Sequence, residues 1–114
     1  MIRRKQDAVT LERSMWGGPG LGQALQILND GEFSGKGRLF NHVRLAPGCA
    51  VGKHAHNGEF EVYYILKGEG TYDDNGTECR VAAGDVTVCP DGETHGILNT
   101  GTEDLELIAL ILYV

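Results

Sequence analysis

Along most of the chain, short stretches rich in Val, Ile, Leu, Thr and Tyr alternate with polar positions, and the seventeen glycines fall mainly between these stretches. A two-residue alternation interrupted by glycine predicts strands joined by tight turns, an all-β chain. The pattern places strands near residues 22–28, 38–45, 50–56, 61–67, 70–72, 77–81, 85–89, 95–99 and 105–113. Residues 105–114 are almost wholly apolar after Glu106, which fits a buried strand or a short buried helix. Its position at the end of an all-β pattern favours a closing strand. Asp73-Asp74-Asn75-Gly76 is the clearest turn, because Asn-Gly readily takes the positive φ of a two-residue hairpin. Residues 1–14 are polar and unpatterned, and no strand is predicted there. The glycine-rich piece from Trp16 to Gly22 reads as a loop; no helix pattern follows it to make a dinucleotide site.

At 114 residues the chain has room for one domain with one core. Within it, residues 1–36 form a leading segment that carries the first strand and is expected to contact a second copy, and residues 37–114 form the main barrel. A formal net charge of −6 argues against a nucleic-acid partner, which needs a dense field of Lys and Arg. The cluster Arg3-Arg4-Lys5 reads as a solvated end. No apolar run approaches the roughly 20 residues that cross a bilayer, and no secretory leader is evident, so the expected location is the cytoplasm with no membrane partner. Three cysteines, Cys49, Cys79 and Cys89, lack a C-x-x-C spacing and agree with a reducing compartment.

The chemistry is concentrated in four side chains. His54 and His56 lie two apart, so on a strand they share a face and can clamp one ion. Glu61 follows the turn-like Asn57-Gly58, and His95 follows the turn Pro90-Asp91-Gly92. A bare His-x-His pair is as easily a surface feature as a clamp. Three imidazoles and one carboxylate, taken together, suit one divalent transition metal (Mn, Fe, Co, Ni, Cu or Zn) better than Mg or Ca, which prefer oxygen shells.

The spacing goes further. Gly48-x5-His54-x-His56-x4-Glu61-x6-Gly68, then 15 residues, then Gly84-x5-Pro90-x-Gly92-x2-His95-x3-Asn99, resembles the two sequence motifs of the cupin superfamily at every fixed position. That resemblance implies an antiparallel jelly-roll β-barrel with the metal in its mouth, held by His54, His56, Glu61 and His95, and Asn99 in a structural role. It also implies a small-molecule ligand and a homodimer. The implied function is a metal-dependent enzyme on a small oxygenated molecule, sugar-like or carboxylate, by isomerase, lyase or oxygenase/decarboxylase chemistry. The alternative is a non-catalytic binding or metal-dependent sensing module, because one fold hosts both.

Strand parity sorts the remaining candidates. Tyr63 shares the face of Glu61 and is the candidate acid or base; Asn41, Tyr63 and Cys89 are the candidate pocket side chains. His42 falls on the opposite face from Val43 and is expected outward. Trp16 and Phe33 are expected in an exposed loop or a dimer contact. Val62, Tyr64 and Leu66 alternate with inward residues, and an apolar outward face points to pairing with a second copy.

Overall fold

A computed structural model describes residues 1–114 as ten strands in two antiparallel sheets. The strands are β1 (Thr10–Arg13), β2 (Gly22–Gln26), β3 (Gly37–Leu45), β4 (Ala50–Ala55), β5 (Glu59–Lys67), β6 (Glu69–Asp74), β7 (Thr77–Ala82), β8 (Val86–Cys89), β9 (Thr94–Leu98) and β10 (Leu105–Tyr113). One sheet runs β1-β2-β3-β10-β5-β8 and the other β4-β9-β6-β7. No strand ladder joins the two sheets into a cylinder, so the expected barrel is open: a jelly-roll sandwich of two layers. No helix is long and apolar enough to cross a membrane.

Alternation explains the core. In β10 every second residue from Leu105 to Ile111 is buried, and on β3 the residues Asn41, Val43 and Leu45 face the same interior. Ile65 and Tyr63 on β5 complete that layer, and Val51, Ile97, Tyr72 and Val81 oppose it from the smaller sheet. The closing segment is therefore a strand, because each of its backbone groups finds a partner on β3 or β5. The 73–76 hairpin forms as read, with Asn75 at φ 50° and Gly76 at φ 100°. Asn99 locks a corner: its amide donates to the carbonyls of Leu45 and Glu103, both at 2.8 Å, and its oxygen accepts from the Gly101 N–H at 2.9 Å.

One feature departs from the sequence reading, and one adds to it. β1 lies in the segment read as unpatterned; its four residues are mostly exposed, so they carry no alternation, and the strand forms by pairing Thr10–Arg13 with the free edge of β2. The leading strands therefore extend the larger sheet of their own chain. The stretch from Trp16 is a loop, as read, and residues 15–18 give it a path that the sequence did not show. Met15 bridges Val51, the Met15 carbonyl accepts from the N–H groups of Gly52 and Gly18, and the chain lies flat on β4. A Cβ on Gly18 would sit 2.6 Å from the Ala50 carbonyl oxygen, so only glycine allows this approach.

Candidate metal centre

The metal-ligand side chains are delivered by three strands. His54 is near the end of β4 and His56 one residue past it, with exposed Ala55 between them, so both rings turn inward as parity requires. His95 sits on β9. A register shift in the β4/β9 ladder between Val51 and His54 pairs His54 directly with His95. Glu61 comes across the sandwich from β5. All four are buried, and one donor atom from each lies within 4.8 Å of the others.

The outer nitrogens settle the tautomers. Nδ1 of His54 donates to the Gly52 carbonyl at 2.7 Å, and Nδ1 of His56 donates to the Glu59 carboxylate at 2.6 Å. Both acceptors lack a proton, so each Nδ1 carries one and each Nε2 of the neutral ring presents a lone pair. Nδ1 of His95 meets the Tyr72 hydroxyl at 2.7 Å. The Nε2 of His95 lies 3.1 Å from that of His56 and 3.2 Å from that of His54, with the Glu61 oxygen 2.8 Å away. Lone pairs and a carboxylate gathered this closely repel one another unless a cation sits among them, and the donor set fits a divalent transition metal.

The electrostatics carry the same message. Burial alone would push the Glu61 carboxyl up, but its hydrogen bonds with His54, His56 and His95 outweigh that and hold it far below the usual carboxylate range. His56 is pushed up, chiefly by Glu61 against the opposing effect of burial, with Glu59 adding to the rise. His95 is pushed down by burial.

Glu59 was not singled out by the sequence reading, and neither was Arg38. Arg38 clamps Glu59 through two bonds of 2.7 Å, so Arg38, Glu59 and His56 form a continuous relay to the metal position. The available signal was parity: Glu59 is two residues before Glu61 and shares its face. Tyr72 carried no comparable signal, because it reaches His95 through the β6/β9 pairing.

A cavity of about 350 Å³ opens beside His54 and Glu61. Asn41 and Tyr63 line it, as parity placed them. Cys89 does not: it pairs with Glu61 on β8, is buried, and its side chain is absent from the cavity wall. Burial pushes its thiol up to about 11, with Glu61 adding to the rise, so it stays protonated. The Tyr63 phenol is pushed well above its ordinary value by burial and by the charge of Glu61, and its ring stacks on His95 with centroids 4.9 Å apart. His42 faces outward and meets Glu106 at 3.0 Å. Trp16 lies in an exposed loop, as expected, and has a further role that the sequence did not show. It is 61% exposed, yet its ring lies parallel to that of His54 with centroids 4.6 Å apart, so it forms one wall of the cavity mouth.

Comparison with known proteins places this geometry. A family model described as the cupin domain matches residues 41–111. The chain is 45% identical to the oxalate-binding protein of Thermotoga maritima, over 98% of this chain and 93% of that protein. A crystal structure from the same organism, described as a predicted oxalate decarboxylase, superposes with a TM-score of 0.93 at 42% identity, covering 100% of both chains. The polyketide cyclase RemF from Streptomyces resistomycificus shares the fold alone, with a TM-score of 0.76 at 18% identity over 99% of this chain and 80% of that one.

Proposed function

The chain belongs to the cupin family, and on that premise we propose that it is a metal-dependent receptor for a small carboxylate such as oxalate, bound at the His54/His56/Glu61/His95 centre. The observation that carries this reading is the cavity wall. Apart from Glu61 and His54, its titratable side chains are Arg13, Arg38 and Tyr63. Arg38 is paired with Glu59, so Arg13 is the guanidinium left to favour an anion. Tyr63 stays protonated at neutral pH, so it can donate a hydrogen bond but is no base.

With four protein ligands, the ion retains positions for oxygens of the bound acid. The chain supplies the remainder of the site: the Asn41 amide and Arg13 to meet oxygens, and Trp16 to narrow the mouth. The names given to the Thermotoga maritima sequence and structure support oxalate as the first acid to test. A second reading, decarboxylation with the Tyr63 hydroxyl as proton donor, draws on the position of Tyr63 in the cavity wall.

The test starts with elemental analysis of the purified protein beside the double variant His54→Ala, His56→Ala. About one transition metal per chain is expected, lost in the variant while the β-sheet circular dichroism persists. Oxalate at a hundred times its dissociation constant should then stabilise the metal-loaded protein by about 2.7 kcal/mol and leave the metal-free protein unchanged. Formate and CO2 released with many turnovers would instead establish the decarboxylase reading. Absence of metal after reconstitution would defeat both.

We also propose that two copies pair through the outer face of the larger sheet. Val62, Tyr64 and Leu66 on β5 lie there beside Val86 and Val88 on β8, and Ile108, Leu110 and Leu112 on β10 continue the apolar surface. A sheet apolar on both faces needs a cover.

A further inference from the structure

We propose that the preferred ligand of this site is larger than oxalate: a carboxylate with an apolar body, of the 2-oxo or 2-hydroxy acid class. The inference rests on the carboxylate-binding reading above and narrows it.

Oxalate consists of two carboxylates and has no apolar surface. The cavity is built otherwise. Ten of its sixteen lining residues are hydrophobic. One end is apolar: Val43 and Leu107 rise side by side from the inner face of β3 and β10 and Val51 lines the cavity from β4, while Leu39 and Ile111 flank Glu61. The polar groups gather at the other pole, beside His54 and Glu61. There Asn41 is only 6% exposed, lines the cavity, and its amide takes part in no hydrogen bond of the fold. Its polar atoms are not among the fully enclosed ones that lack a partner, so they are open to the cavity, where a ligand oxygen or water can meet them. Arg13, at the rim, has no acidic partner in the fold, whereas Arg38 is already clamped to Glu59. One pole is therefore prepared for an oxygen-rich head group.

Size gives the second argument. A water molecule takes a share of about 30 Å³ in the liquid, and oxalate has six non-hydrogen atoms. Oxalate at the polar pole would leave most of a 350 Å³ cavity to water held against aliphatic side chains. Apolar walls of this kind gain by excluding water, and each methylene buried against them is expected to tighten binding by about fourfold. An acid bearing a branched alkyl or aryl group presents the same paired oxygens at its head and fills that wall with its body. The mouth suits such a body, because the flat exposed face of Trp16 borders it.

The experiment is calorimetric titration of the Mn-loaded protein with oxalate, pyruvate, 3-methyl-2-oxobutanoate and phenylpyruvate. Affinity should rise along the three 2-oxo acids, and phenylpyruvate should bind at least tenfold more tightly than oxalate. Val43 lies at the apolar end of the cavity, paired with Leu107 and away from Glu61, so Val43→Leu should weaken the longest acid at least tenfold and leave oxalate within about threefold. Should that variant fail to fold, the ligand series on the wild-type protein still decides. An affinity that stays flat or falls as the apolar body grows, with oxalate bound, overturns the larger-acid proposal alone. Failure of every acid to bind a protein that holds its metal overturns the carboxylate reading as well.

Discussion

At the scale of single residues, the centre is governed by what lies behind each imidazole. His54 leans on a backbone carbonyl, His56 on the Glu59 carboxylate and His95 on the Tyr72 hydroxyl. Of the three, only Glu59 brings a full charge, and a carboxylate behind a ligating histidine fixes the ring and raises its basicity. Glu59→Gln keeps an oxygen in reach of Nδ1 and removes the charge. Competition with a chelator should show metal affinity lowered about ten- to a hundredfold in that variant. An unchanged affinity would mean that Glu59 serves only as a partner for Arg38. Parity read Asn41 and Tyr63 correctly as inward because a strand's side-chain period is a local property. It did not exclude Cys89, which is also inward, because facing the interior and lining the cavity are different things.

At the scale of elements, the strap at residues 15–18 links the leading segment to the centre. Its path over β4 depends on two close approaches, Gly18 against Ala50 and Gly52 against the Trp16 carbonyl. Trp16 is held there in a left-handed backbone conformation, φ 52°, unusual for a bulky residue and sustained by the bridge between Met15 and Val51. Gly18→Ala should lift the strap and break the stacking on His54. Trp16 is the only tryptophan, so its fluorescence reads this directly. Added Cu2+ should quench the wild-type emission and have little effect in Gly18→Ala; equal quenching in both would show that the strap stays down. The sequence exposed the loop as glycine-rich and no more, since the contact that gives the loop its role is made with a strand more than thirty residues later.

At the scale of the whole molecule, the charge balance and the two-layer architecture act together. The smaller sheet and the inner face of the larger one enclose the core and the cavity, while the outer face of the larger sheet stays apolar across β8, β5 and β10. Tyr64, Val86 and Val88 are its most exposed members near the β8 edge. If two copies cover this face, Tyr64→Lys with Val88→Lys should convert a dimer to a monomer in sedimentation equilibrium, and metal content should stay at the wild-type level. A wild-type protein that sediments as a monomer would end the proposal. Substitution of two outward residues leaves the inner faces untouched, so the β-sheet circular dichroism should survive.

The sequence by itself determined the all-β class, eight of the nine expected strands closely and the 70–72 strand in part, the tight turn at Asn75-Gly76, and the four metal-ligand side chains. Alternation, turn chemistry and the His54/His56 spacing are legible because they are short-range; His95, 34 residues after Glu61, was joined to them only by the resemblance to the second cupin motif. Only the tertiary structure decided that the sandwich is open, that Thr10–Arg13 joins an edge, and that Arg38, Glu59 and Tyr72 stand behind the centre. The same holds for the cavity, whose walls come from β1 to β5, β10 and the strap. Such contacts join residues far apart in the chain, and their pairing is set by sheet register and by which faces must be buried together, quantities that no local pattern encodes.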